Sequence, residues 1–212
     1  GWMTQEDAFA LIEAYGIPVA PVARVTNAVE AATASERLGY PVVLKVEDRR
    51  IVHKSDVEGV ALGLESAAEV GQALETMRRR IREAEAITDI EAFVLQRQVP
   101  SGREVILGMT LDPLFGPLLA FGSGGRHVEV FRDIAFRVLP LTDVDVNEMV
   151  RSIKGFPLLR GFRGESPVDI DVAEEAVMRL AQLVVDFDCI EEMDLNPFIP
   201  APRRQDCAVV YL

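Results

Sequence analysis

Cysteine, histidine and tryptophan are all scarce in this chain. Two cysteines (Cys189 and Cys207), two histidines and one tryptophan occur in 212 residues. Two thiols so spaced make neither a disulfide framework nor a metal knuckle, and a cytoplasmic setting is expected. Positive charge is short as well: 22 Lys and Arg against 34 Asp and Glu give a formal net charge of −12. That balance argues against nucleic acid and anionic membranes as partners, while leaving room for a local basic cleft that takes phosphates. No apolar run reaches membrane-spanning length. The longest, "VILGMTLDPLFGPLLAFG", is broken at Asp112-Pro113 and Pro117 and reads as two buried strands around a turn. The opening "GWMTQEDAF" has neither a basic nor an apolar signal region, so no targeting segment is expected there. What is abundant is ordinary. With 49% hydrophobic and 26% charged residues, the chain suits one globular domain, or one domain with two lobes around a cleft.

Local signals order the chain. Thr4 with Asp7, ahead of Ala8, Phe9, Leu11 and Ile12, predicts a capped helix ended by Gly16. "IPVAPVARV" reads as extended, and a second helix is predicted from Asn27 to Leu38, stopped by Gly39. "VVLKV" and "GVALGL" are predicted strands, followed by a long helix from Ser66 to Ala86 whose "MRRRIREAE" face is expected to be solvated. Four strands follow in "EAFVLQRQV", "REVILGMTL", "LLAFG" and "IAFRVLPL". Helices over Asp143 to Ile153 and Asp169 to Phe187 and two closing strands, "CIEEMDLNPFI" and "CAVVYL", complete the pattern. Mixed elements, then strands, then helices and strands again, predict α+β packing in two lobes rather than a doubly wound sheet.

Several residues stand out chemically. Lys45 lies inside an apolar strand: it either points to solvent from an edge strand or is held rigidly to meet a nucleotide phosphate. His53 in "HKSD" is either part of a surface turn or a phosphate acceptor. In the second case Lys54 and Ser55 hold phosphoryl oxygens and Asp56 orients either the ring or the lysine. "FGSGG" brings Gly122, Gly124 and Gly125 together after a strand, as loops that approach phosphates do, yet it matches no nucleotide fingerprint. His127 beside it reads as structural or surface. Asp194 and Asn196, two apart on a strand, either project to one side and suit a magnesium ion that also binds phosphate or belong to a strand that ends in an Asn-Pro turn. Arg160 and Arg163 in "LLRGFRG" either face a polyanion or decorate a loop.

Taken in order, "AYGIPV", "YPVVLKV", "IVHKSDVEGV", "GREVILGMTLDPLFGPLLAFGSGG", "VEVFRDIAFRVLPL", "IKGFPLLRGFRG" and "EEMDLNPF" resemble the ATP-grasp (β) part of NDP-forming acyl-CoA synthetases. That family includes ADP-forming acetate–CoA ligase and relatives of succinyl-CoA synthetase. The likeness runs from about Thr4 to Pro200. It implies an α+β ATP-grasp fold whose two lobes clamp a nucleotide, with 1–20 and 96–212 in the larger lobe and 21–95 in the smaller. It implies an acid–thiol ligase that uses ATP/ADP and Mg²⁺ and passes phosphate through phosphohistidine. The reaction interconverts acyl-CoA, ADP and phosphate with carboxylic acid, CoA and ATP.

By this resemblance Lys45 contacts phosphate, while Gln96, Arg97, Gln98, Val99 and Glu104 face the nucleotide. His53 carries phosphate with Lys54, Ser55 and Arg160 around it, Asp194 is the acidic residue beside the phosphohistidine, and Asn196 is a metal ligand. Two departures stand out. Relatives carry a further aspartate where this chain reads Tyr211 or Leu212, and the CoA-binding (α) part is not within these residues. A CoA-binding subunit or domain is therefore the expected partner, in a hetero-oligomer or a longer chain. The alternative is a sensing ATP-grasp domain fused into a larger protein such as a lysine acetyltransferase.

Overall fold

The computed structural model describes residues 3–48, 50–51, 58–85, 87–100, 102–125 and 133–210. The His53–Asp56 tetrad, His127, Tyr211 and Leu212 lie outside them. The chain divides into two compact units, one formed by Gly1–Val19 with Val99–Leu212 and the other by Ala20–Gln98.

The Ala20–Gln98 unit contains β1 (Val22–Val25), α2 (Ala28–Leu38), β2 (Val42–Glu47), β3 (Val60–Leu64), α3 (Ala67–Glu85) and β4 (Ala92–Arg97). Its four strands form an antiparallel sheet in the order β1-β4-β2-β3. Strand alternation sends Val42, Leu44, Val46, Phe93 and Leu95 into one core with Ala31 and Ala34 of α2 and Val70, Leu74, Met77 and Ile81 of α3. Asn27 caps α2 by accepting from the backbone N–H groups of Val29 and Glu30. The arginine-rich stretch of α3 is not wholly solvated. Arg79, Arg80 and Arg82 are exposed, but Arg78 lies over the Phe93 ring at 5.4 Å and donates to the Thr26 carbonyl.

At the end of β2 the Asp48 side chain is fully buried. It accepts from the backbone N–H of Arg50 and of Glu91 and from the Arg50 guanidinium, which also reaches Asp89. The Arg50 guanidinium, with the two backbone donors, holds the Asp48 carboxyl down at about 2 against the opposing effect of burial.

The other unit contains α1 (Gln5–Ala14), β5 (Val105–Asp112), β6 (Gly116–Ser123), β7 (Ile134–Val138), α4 (Asp143–Ser152), α5 (Phe156–Leu159), α6 (Ile170–Asp186), β8 (Glu192–Ile199) and β9 (Ala208–Val209), with a 3₁₀ turn at Arg204–Asp206. Its antiparallel sheet runs β7-β6-β5-β8-β9. Helices α4 and α6 pack on this sheet, where Leu107, Met109, Leu119, Phe121 and Leu195 are buried with Val146, Met149, Val150, Val177 and Leu180. Thr142 and Asp145 close a reciprocal capping box at the start of α4. Helix α1 is tied to α6 by a hydrogen bond from the Tyr15 hydroxyl to Asp186 and another from Arg179 to the Tyr15 carbonyl.

The expected helices and strands are present, with α5 added and the closing strand reduced to two residues. Among the described residues no helix is long and apolar enough to cross a membrane.

Candidate functional site

Lys45 sits on β2, an interior strand between β4 and β3, and is 6% exposed, which removes the reading of a solvent-facing edge lysine. Register pairs Val43 with Gln96 and Lys45 with Val94, so Lys45 and Gln96 are diagonal neighbours on one face. The Lys45 ammonium donates to Gln96 Oε1 at 2.6 Å. An ammonium can only donate, so the amide oxygen must be the atom that faces it. The amide nitrogen Nε2 is thereby fixed. It is buried with no hydrogen-bond partner among the described residues, while Gln96 as a whole is 1% exposed. A buried donor left without a partner costs about 1–3 kcal/mol, which an ordered water or a bound acceptor would relieve; Gln5 Nε2 and Arg78 Nε share this state among the described residues.

The neighbouring positions behave differently. Gln98 Oε1 accepts from the Gly63 backbone at 2.7 Å, so this side chain pins β3. Arg97 is exposed, and Val99 is half-buried where the other unit resumes.

In that other unit Asp194 and Asn196 lie on β8. Between Val105↔Phe198 and Leu107↔Leu195 the β8 register advances three residues against two on β5, a bulge that falls at Asn196-Pro197. Such bulges re-aim side chains. Asn196 lies close enough to Asp194 to act on its carboxyl. Asp194 is exposed, yet nearby protein atoms still desolvate its carboxyl enough to push it up. Glu192 adds to the rise and the Asn196 hydrogen bond opposes it.

Near the start of β5 the glycine-rich loop closes on Glu104. The Gly124 N–H donates to the Glu104 carbonyl at 2.8 Å. A Cβ on Gly124 would lie 2.7 Å from the Glu104 carbonyl carbon, and one on Gly155 would lie 2.1 Å from Ser123 Oγ. Gly124 is therefore needed for close backbone approach and Gly155 to admit the Ser123 side chain, roles the sequence does not separate from phosphate binding. Gly102, Glu104, Ser123, Gly125 and Leu159 help line a cavity of about 260 Å³ beside this loop.

Asp133, not singled out from the sequence, ties these parts together. Its carboxylate accepts from Ser123 Oγ at 2.5 Å, the Lys154 N–H at 2.6 Å and the Gly155 N–H at 2.7 Å. Partial burial pushes the Asp133 carboxyl up, but the Ser123 hydroxyl and the two backbone donors outweigh it and the net shift is downward. Arg103 pairs with Glu165, and Arg160 is exposed at the end of α5.

A family model for the ATP-grasp domain matches residues 1–210. The chain belongs to the ATP-grasp family. It is 38% identical over 195 residues to the ADP-forming acetate–CoA ligase I subunit beta of Pyrococcus furiosus, covering 92% of this chain and 84% of that subunit. To the ADP-forming 4-hydroxybutyrate–CoA ligase of Nitrosopumilus maritimus it is 37% identical over 208 residues. That match covers 98% of this chain but 30% of the longer protein, so the ATP-grasp chain spans under a third of that relative's length.

A solved structure of the dinucleotide forming acetyl-coenzyme A synthetase 1 of Ca. Korarchaeum cryptofilum matches with a TM-score of 0.86 and 39% identity, over 99% of this chain and 90% of that one. That protein holds coenzyme A and Mg-AMPPCP, with a phosphohistidine segment pointing towards its nucleotide-binding site. The α+β ATP-grasp fold expected from the sequence is thus the fold found, and the relatives are β subunits or domains of ADP-forming acyl-CoA ligases.

Each unit by itself carries groups chemically suited to one part of a magnesium nucleotide. The Gln96 Nε2 donor and the Lys45 ammonium offer a fixed hydrogen bond and a charge. Asp194 and Asn196 offer two oxygen donors on one strand, and magnesium characteristically takes one or two protein ligands together with phosphate oxygens. Among the described residues no group of three or more His, Cys, Asp or Glu forms a metal site by itself.

Proposed function

We propose that this chain is the nucleotide-binding ATP-grasp part of an ADP-forming acyl-CoA synthetase, an acid–thiol ligase. It moves phosphate between ATP or ADP and a phosphohistidine relay, so that acyl-CoA, ADP and phosphate interconvert with carboxylic acid, CoA and ATP. The observation that carries this reading is the Lys45–Gln96 pair, a buried ammonium and an oriented amide whose nitrogen has no partner among the described residues.

In this reading the two compact units are the two lobes. Lys45 neutralises phosphate charge, Gln96 Nε2 and the Gln96–Val99 connection meet the nucleotide, and Glu104 faces it. His53 accepts the phosphoryl group: its ring nitrogen forms the N–P bond as the bond from phosphorus to the ADP leaving oxygen breaks. Lys54, Ser55 and Arg160 hold phosphoryl oxygens, Asp194 stands beside the phosphorylated ring, and Asn196 with Asp194 holds magnesium. Bound magnesium supplies charge neutralisation on the phosphates.

Acetate and 4-hydroxybutyrate ligases resemble this chain equally well, at 38% and 37% identity, which supports placing acid recognition in a CoA-binding partner. That partner is a separate subunit or the remainder of a longer chain, and the setting is cytoplasmic.

The test is incubation with radiolabelled Mg-ATP and the CoA-binding part. The expected result is acid-labile, base-stable phosphate on His53, lost in His53→Ala. Synthetase activity that persists without phosphate on His53 would remove the relay role.

A further inference from the structure

We infer that Asp133 is a positioning residue that sets the direction of Glu104 through the glycine-rich loop. The inference rests on the reading of Glu104 as a nucleotide contact.

The path is short and built from hydrogen bonds. Asp133 Oδ2 takes both the Ser123 hydroxyl and the Gly155 N–H, and Oδ1 takes the Lys154 N–H. The Ser123 N–H donates to the Asp133 carbonyl at 3.0 Å, so residue 133 grips residue 123 through side chain and backbone together. The next residue, Gly124, donates to the Glu104 carbonyl at 2.8 Å. A Cβ on Gly125 would stand 3.6 Å from Glu104 Oε2, so this loop forms one wall of the space the Glu104 carboxylate occupies. On the far side, Gly155 approaches Ser123 so closely that no side chain fits between them. One carboxylate thus fastens the loop at Ser123 to the start of α5, and the loop fixes the backbone of Glu104.

Only a carboxylate does this. Three donors converge on two oxygens, one of which takes two of them. In the Asp133→Asn variant one oxygen becomes an NH₂ group and meets an N–H donor head-on. The Glu104 backbone then loses its fixed partner while the helices and sheets of the unit retain their own contacts.

The experiment is a double-mutant cycle on ADP binding, read by titration calorimetry of the chain alone at a temperature where circular dichroism shows each variant folded. Asp133→Asn and Glu104→Gln are each expected to raise the Kd about tenfold, the effect of losing one charge-assisted hydrogen bond. The double variant is expected to be no weaker than the poorer single one, because both act through the same carboxylate. A purely structural Asp133 would lower the melting temperature and leave the Kd of the folded fraction unchanged, which overturns the inference. Additive losses in the double variant overturn it as well. If Glu104→Gln binds ADP like the parent, the nucleotide reading of Glu104 fails first, and the inference with it. Should Asp133→Asn fail to fold, Ser123→Ala removes one link of the same path. It is then expected to raise the Kd about threefold, and an unchanged Kd overturns the inference.

Discussion

Asp48 and Asp194 are strand-associated carboxylates in different units, and their environments act in opposite directions. The Asp48 side chain is fully buried, yet its acidity is enhanced, because Arg50 and two backbone N–H groups converge on it. Asp194 is more open, yet its carboxyl is held above the ordinary carboxylate value by partial burial, with the Asn196 amide as an opposing donor and Glu192 as a neighbouring negative charge. Hydrogen-bond supply, rather than depth, decides which acid ionises readily. Asp48 is a structural clip with its acceptor capacity used. Asp194 has no such set of donors among the described residues, and its raised carboxyl costs stability once it ionises.

The largest effect expected from this contrast is functional. Asp194→Asn should slow phosphoryl transfer on the order of a hundredfold, the size seen when one electrostatic stabiliser is lost, as measured by single-turnover phosphate incorporation. The same variant should melt at a slightly higher temperature at pH 7. The folded-state pKa of Asp194 is raised, so its ionisation above the carboxylate range disfavours the fold. A lower melting temperature in that variant would break the contrast.

Next comes Lys45→Met, expected to weaken ADP binding on the order of a hundredfold in calorimetry. It removes the ammonium and also releases the orientation of Gln96.

Asp48→Asn carries the opposite sign to Asp194→Asn: a fall of several degrees in melting temperature at neutral pH. The folded Asp48 carboxyl titrates at about 2 against an ordinary value of 3.8, so its contribution is complete above about 4 and lost as pH falls towards 2. Melting curves of parent and variant should therefore converge across that window, and a constant gap would show that Arg50 does not act through this charge.

The smallest effect is Thr142→Ala. It opens the capping box of α4 and should cost about 1 kcal/mol in denaturant unfolding without changing ADP affinity.

What the sequence made legible was local. Thr4 and Asn27 stand at helix starts, glycines at helix ends, and the apolar strands "VVLKV" and "EAFVLQRQV" supply the sheet core. The family resemblance added the fold and the order of the parts. Long-range pairings were not legible. Asp133 meets Lys154 and Gly155 about twenty residues on, and Asp48 meets Glu91 across the unit, and neither pairing leaves a periodic trace. Helix α5 was missed because its start is held by Asp133 rather than by a neighbouring capping side chain. The glycine cluster was ambiguous for the same reason: only the fold reveals that Gly124 is small to admit Glu104.

We propose that the buried Lys45–Gln96 pair forms the core of a nucleotide site. Calorimetric titration of Mg-ADP into this chain alone tests it most directly. One saturable site, weakened on the order of a hundredfold in Lys45→Met and less in Gln96→Met, is the predicted result. No binding to the folded chain, or binding indifferent to Lys45→Met, would contradict it.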